Sequence, residues 1–280
     1  MMTKSVGLTV VLAVTLALGI GASTTIFSVV NSVVLKPLPY EQPDRLVRVY
    51  TEFPSMDLKK FWMSPPEFDD LQKACRSCEY VGAWAQGTAS LAGGDRPVRM
   101  QAAYVSWQVL PMLGVKPHLG RWFDKSEERL MDPKLGALAY EDTVILISYG
   151  VWQRAFGGDP SIIGRKITLD AMPVTVIGVM PEGFDFFGGQ EAWVPLNWDY
   201  QKFNRGGHSL SVIARLKEGV GIEAFRDELL ALSAGWMKSL APGRHAITVN
   251  NPYVQFSHPM IAVPLHEDLV GSMATMLWLL

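Results

Sequence analysis

Cys75 and Cys78 are the only two cysteines of the 280-residue chain, and they stand as a Cys-x-x-Cys pair. At that spacing two cysteines can be a local disulfide, a redox couple or half of a metal site. No second cysteine pair and no Cys-x-x-Cys-His accompanies them, and only Lys73 and Arg76 bring positive charge that could activate a thiolate. A small disulfide between Cys75 and Cys78 is therefore favoured, with reduced bystander thiols and a secreted thiol oxidoreductase as the alternatives. Its loop is short, so its effect on stability should be minor. The five histidines, His118, His208, His245, His258 and His266, show no His-Glu-x-x-His or other ligand spacing and read as scattered polar or capping groups. Ser148 lacks the first glycine of a nucleophile elbow and reads as a helix cap. Residues 158–166 hold glycines and a lysine without the G-x-x-x-x-G-K-[ST] order, so no phosphate cradle is expected. The carboxylates Glu67/Asp69/Asp70 and Glu127/Glu128 read as solvated faces rather than acid/base pairs. No catalytic, cofactor or metal-ligand set emerges, and the expectation is a protein that is not an enzyme.

The elements that would carry these groups begin with an apolar rod. Residues 5–35 contain no charged side chain. A helix over 6–35 would be about 45 Å long at 1.5 Å per residue, against a hydrocarbon core of about 30 Å. Residues 6–20 are almost wholly aliphatic, while Ser23, Thr24, Thr25, Ser28, Asn31 and Ser32 make the second half more polar, as for a helix leaving lipid as a stalk. Ala13, Ala17 and Gly21 recur at four-residue spacing and form a possible packing face for another transmembrane helix. A cleaved signal peptide is the alternative, with Lys4, an apolar centre and Gly19-Ile20-Gly21. Renewed hydrophobicity at 26–27 and 33–35 favours retention. Net charge −2 and pI near 6.2 give no footprint for nucleic acid. With 49% hydrophobic and 19% charged residues, the chain can bury a large core without spanning the membrane throughout.

Periodicity divides the body into two similar halves around a strand-rich middle. Residues 45–50 alternate like a strand, Ser64, Pro65 and Glu67 start a helix running to about Ala74, and 80–85 read as a strand. Residues 209–216 alternate again, 222–240 carry Phe225, Leu229, Leu232 and Trp236 on one helical face, and 246–249 return as a strand. Two such strand–helix–strand units tend to share one antiparallel sheet. Between them lie strands near 97–104, 143–147, 166–169, 174–179 and 192–195, with a hairpin loop at 170–173. Short helices are expected at 107–113 and 149–156, closed by Gly114 and Gly157. The fold class is α+β, an N-terminal transmembrane helix plus a domain of two βαβ halves with an inserted β-rich subdomain.

Residues 144–167 (VILISYGVWQRAFGGDPSIIGRKI) and 174–184 (VTVIGVMPEGF) resemble the periplasmic core domain of MacB-like/FtsX-type ABC transporter permeases. Residues 16–31 (LALGIGASTTIFSVVN), 38–40 (LPY), 113–121 (LGVKPHLGR) and 264–271 (PLHEDLVG) are similar to the same family, particularly its duplicated orphan permeases lacking an ATPase domain. The resemblance implies a cytoplasmic N-terminus and a cell inner-membrane helix and stalk at 1–37. It implies a porter-like α/β subdomain in two parts, 38–95 and 201–268, around a β-rich insertion at 96–200, with residues from about 38 to 268 extracytoplasmic. It implies a separate ABC ATP-binding subunit, a second permease copy or repeat, a possible periplasmic adaptor and the lipid bilayer as partners. ATP hydrolysis would be coupled mechanically to export or envelope cargo handling, including efflux. Relatives continue through further transmembrane helices, whereas residues 269–280 are too short to span, so the expectation is the start of a truncated second transmembrane helix in a permease fragment. A membrane-anchored extracytoplasmic binding module without a transport role is the alternative.

Overall fold

The computed structural model describes residues 6–30, 37–92, 98–128, 143–185, 188–239 and 258–277. They divide into two compact units, Tyr40–Pro264 and a smaller one made of Met1–Pro39 with Leu265–Leu280. The smaller unit contains α1 (Val6–Val30) and a C-terminal helix, Leu265–Leu277. Within α1 the stretch Gly7–Thr25 has mean hydropathy 1.9 and none of it is covered by protein, so it is long and apolar enough to cross a membrane. Thr15 and Thr25 turn their hydroxyls back to the carbonyls of Val11 and Gly21, both at 2.8 Å, which satisfies them without water. Ala13, Ala17 and Gly21 lie along this helix. Residues 31–36, the expected end of the rod, lie outside the described residues. The C-terminal helix begins at Leu265. Glu267 and Asp268 occupy its first turn, where the helix dipole favours acidic side chains.

In the larger unit the chain runs β1 (Leu46–Phe53), β2 (Leu58–Phe61), α2 (Pro65–Ala74), β3 (Cys78–Ala92), β4 (Val98–Val105), α3 (Val109–Leu113), β5 (Leu119–Gly120), β6 (Thr143–Ile147), α4 (Tyr149–Phe156), β7 (Lys166–Leu169), β8 (Met172–Val179), β9 (Ala192–Pro195), β10 (Ser211–Leu216), α5 (Ile222–Ser239) and β11 (Met260–Pro264), which leads into α6 (Leu265–Leu277). The strands order as β11-β1-β10-β3-β4-β9-β6-β8-β5. The first four are antiparallel neighbours, with β1 between β11 and β10 and β10 between β1 and β3. This is the split βαβ arrangement, in which α2 and α5 are the two connections. The expected strand at 246–249 lies outside the described residues, and β11 fills the fourth place.

Beyond β3 the sheet closes on itself. β3 pairs with β4, β4 with β9, β9 with β6, β6 with β8, β8 with β7, and β7 returns to β3 through Leu91 opposite Leu169. A closed ring has no free edge among those strands, and its core holds Leu91, Met100, Ile145, Ile147, Leu169, Val176 and Val194. A separate cluster lies under α2 and α5, built from Val47, Phe68, Leu71, Val81, Ala83, Val212, Phe225 and Leu229, with Leu232 and Trp236 against it.

Local chemistry explains most of the element ends. Ser148 accepts the N–H of Val151 at 3.1 Å to start α4, and Gly157 closes it with φ 62°. The β7–β8 turn is tighter than expected, because Asp170 and Ala171 alone make it, with φ 47° and 66°. That strained pair is held by Ser90, whose N–H donates to Asp170 Oδ1 at 2.7 Å and whose carbonyl accepts from Asp170 N at 2.9 Å. α3 ends at Gly114, φ 70°, where a Cβ would stand 2.4 Å from the Cβ of Glu41. At Gly157 the same handedness meets nothing within 4 Å. Gly157→Ala is expected to cost about 1–2 kcal/mol from its left-handed backbone alone. Gly114→Ala adds a clash close to backbone and should cost clearly more, read from urea unfolding of the two variants side by side.

Candidate functional site

The end of α2 is a covalently and electrostatically fixed joint. Cys75 follows the last helical residue and donates its N–H to Leu71 O at 2.9 Å, and Cys78 opens β3. Their sulfurs are bonded, S–S 1.95 Å, with Cα atoms 5.6 Å apart. The two residues between them present backbone N–H groups to Glu228 of α5, Arg76 at 2.6 Å and Ser77 at 3.0 Å. Ser77 O accepts from Lys217 N at 2.8 Å, just past β10. Partial burial pushes the Glu228 carboxyl up, but the hydrogen bonds from Ser77 and Arg76 outweigh it and hold the group below the usual carboxylate range. The cleft beside the disulfide is about 240 Å³, smaller than the roughly 300–1,000 Å³ of a typical small-molecule site.

The carboxylates expected on solvated faces are instead structural acceptors. Asp69 is buried and accepts from Lys73 at 2.6 Å and from Gln201. Asp70 pairs with Arg205, and Glu127 takes both terminal nitrogens of Arg121, at 2.7 and 2.8 Å. Glu128 accepts the N–H of Trp107 at 2.9 Å and the hydroxyl of Tyr200 at 2.6 Å. Burial raises its pKa despite those bonds. Lys73 lies one turn on from Asp69 in α2, whereas Gln201, Arg205, Trp107 and Tyr200 come from segments far along the chain, which periodicity within one helix cannot reveal.

Two of the five histidines converge where sequence spacing gave no hint. His208, before β10, and His258, before β11, both approach Glu67 of α2, Nε2 to carboxylate oxygen 3.3 and 3.6 Å. These three residues are the group able to hold a metal ion among the described residues. His118 packs its ring against Tyr149 and Trp152, centroids 5.3 and 5.4 Å apart, and His245 lies outside the described residues. A buried carboxylate beside two imidazoles can bind a proton or a cation.

A second fixed point lies where the chain enters the larger unit. Arg215 of β10 is 5% exposed and donates to the carbonyls of Met112 (Nε, 3.0 Å), Gln42 (3.3 Å) and Glu41. Glu41 N donates to Leu113 O at 3.1 Å, and the Tyr40 hydroxyl donates to Asp185 O at 3.2 Å. Burial, reinforced by Asp185, pushes the Tyr40 phenol up to about 12, so it stays a donor at any physiological pH.

The sequence matches the family described as MacB-like periplasmic core domain over residues 9–232. Among solved structures, a domain of a protein taken to be a permease in Porphyromonas gingivalis has TM-score 0.56 at 18% identity, covering 81% of this chain and 93% of its own. The periplasmic region of MacB from Actinobacillus actinomycetemcomitans has TM-score 0.54 at 11% identity, covering 82% and 92%. Likeness at these identities establishes the α+β fold. No curated protein matches the chain.

The Glu228 joint makes a pH prediction. A carboxyl whose folded pKa lies below its unfolded value adds stability above the unfolded pKa, about 4.3, and that stability is lost as pH falls through the folded value. Glu228→Gln should therefore flatten the acid side of a melting-temperature-against-pH curve below about pH 4.5 while changing its shape little between pH 6 and 8. Identical acid limbs for the two proteins would assign the stabilisation elsewhere.

Proposed function

Because the chain belongs to the MacB-like periplasmic core domain family, we propose that it is the membrane-anchored extracytoplasmic part of an ABC transporter permease, driven by a separate ATP-binding subunit. The observation that supports this most directly is that one family match starts at residue 9, inside α1, and runs through the domain to residue 232. Apolar helix and outer domain are therefore parts of one inherited unit. In this reading α1 crosses the inner membrane, residues from about 38 to 268 lie outside the cytoplasm, and ATP-driven motion of the helix reaches the domain through the stalk. Its use is export or envelope cargo handling, with a second permease copy or repeat and a periplasmic adaptor as further partners.

The entry clasp supports the mechanical part. Motion arriving at Tyr40–Gln42 meets Arg215, which bonds two carbonyls of the entering chain and the Met112 carbonyl of α3 from the same buried guanidinium. Arg215 sits in β10, between β1 and β3, so displacement of the entry passes into the centre of the four-stranded sheet. A buried side chain with three backbone acceptors has few alternative positions. The joint transmits movement instead of absorbing it. ATP chemistry is left to the partner, since residues 158–166 do not form a phosphate-binding loop.

The test uses the full chain in membranes with its ATP-binding subunit and a spin label at the exposed Lys217 position. Proline at Ser28 costs a helix about 3 kcal/mol and bends it. Ser28→Pro should leave ATP hydrolysis measurable but remove the ATP-dependent change in label mobility. An unchanged ATP response in Ser28→Pro, or labelling of position 217 only from the cytoplasmic side, overturns the reading.

A further inference from the structure

We propose that Glu67, His208 and His258 form a binding site for a divalent transition metal of the Zn²⁺ type, which clamps the start of α2 to the chain entering β10 and β11. Their ligating atoms, one from each residue, lie within 4.8 Å of one another. A tetrahedral ion with bonds of about 2.0–2.2 Å has ligand-to-ligand edges of roughly 3.3–3.6 Å. The two histidine-to-carboxylate separations, 3.3 Å from His208 to Oε2 and 3.6 Å from His258 to Oε1, have that length, each to its own oxygen of Glu67. No two of the three ligating atoms are more than 4.8 Å apart, so closing them onto one ion asks for shifts of about an ångström.

The surroundings hold each ligand in a coordinating state. The Glu67 oxygen facing His208 also accepts the backbone N–H of Ser64 at 3.1 Å and its hydroxyl at 2.8 Å. Its aim is thus fixed by the turn that begins α2. His208 Nδ1 lies 3.2 Å from Gly206 O. A proton on Nδ1 donated to that carbonyl leaves Nε2 with its lone pair directed at the carboxylate, the outer-shell arrangement that orients metal-binding histidines. The Glu67 and His208 side chains are 3% exposed and that of His258 is 12% exposed. Phe53 lies 5.1 Å from both imidazoles and Phe61 5.9 Å from that of His208, which shields the site from water on that side.

Donor chemistry selects the ion. Two imidazoles with one carboxylate suit zinc and its neighbours, whereas Mg²⁺ and Ca²⁺ prefer all-oxygen shells. Three protein donors leave a fourth position for water or for a group brought by another molecule. The three ligands come from α2 and from the entrances of β10 and β11. An ion bound by them ties both βαβ units together at one end of the sheet, and does so independently of the disulfide joint at the other end of α2.

The experiment uses the full, untagged chain in detergent after stripping with a chelator. Addition of Zn²⁺ should show one site per chain by equilibrium dialysis and raise the melting temperature by about 5 °C at a hundredfold excess over Kd. Mg²⁺ at the same concentration should do neither. Co²⁺ in place of Zn²⁺ should show the intense visible bands of a tetrahedral His/carboxylate site. His208→Ala and His258→Ala should each weaken Zn²⁺ binding at least tenfold without touching the Ser64–Glu67 turn. Absence of a bound equivalent in the wild-type chain at 100 µM Zn²⁺ overturns the proposal. So does unchanged binding in the doubly substituted chain, which would place the metal elsewhere.

Discussion

One strand has to belong to two cores at once, and the rest of the larger unit is arranged around that constraint. β3 pairs with β10 over its first half and with β4 over its second. Side chains alternate across a strand, so its odd-numbered face is continuous. Val81 and Ala83 are buried under α2 and α5, whereas Ala89 and Leu91 enter the closed barrel. The even-numbered face changes partner midway. Gly82 and Trp84 lie on the side covered by α3, while Gln86 and Thr88 are exposed. A Cβ at Gly82 would meet Val109 at 2.7 Å and Met112 at 2.9 Å, so the missing side chain is what lets α3 sit down on the strand. Where one core gives way to the other, the Tyr104 ring lies across Gly87 and packs against both clusters. That ring fills the space a residue at 87 would otherwise occupy.

Buried cations consolidate the same region by different means. Arg48, beside β10, places its guanidinium 4.5 Å from the Trp84 ring and 4.9 Å from that of Tyr50, and donates to Val212 O. Arg215 uses carbonyls alone. Desolvation lowers its pKa, as does nearby Arg45, yet an arginine remains charged under any condition in which the protein folds. Its three acceptors are therefore obligatory, because a buried guanidinium without them would be far more costly than the ordering they impose. This explains why the entering chain is fixed at Glu41 and Gln42, next to Gly114, whose left-handed backbone allows Glu41 to come close.

Features with a local cause were legible in the sequence, and those made by distant partners were not. The start of α2 follows from Ser64, Pro65 and Glu67, and the limits of α4 from Ser148 and Gly157, because each involves groups within a turn of one another. The alternation of β10 and the apolar face of α5 have the same origin. Barrel closure depends on β7 finding β3, and the two-residue turn at Asp170 depends on Ser90. Neither contact has a counterpart in the hydrophobic period. The acidic residues of α2 show the failure most clearly. Glu67, Asp69 and Asp70 look like a solvated face within their own helix, and are covered because His208, Gln201 and Arg205 arrive from the loop before β10.

The same distinction governs Glu67 itself, which serves two purposes on different scales. As the third residue of α2 it closes the first turn onto Ser64, a task any helix of this type could assign to a glutamate. Because its carboxylate has further lone pairs, satisfying Ser64 does not exhaust it, and the remaining acceptor capacity is what the two imidazoles approach. A carboxylate buried with only neutral hydrogen-bond donors is costly. Imidazole N–H donors, or a metal ion held by the imidazoles, would offset that cost. The local cap therefore creates a demand that the second βαβ unit must meet, and it meets it at the two places where its chain enters the sheet. Assembly of the two halves is in this way conditioned on chemistry as well as on apolar packing, since either histidine loop displaced from Glu67 would remove one partner of a buried carboxylate.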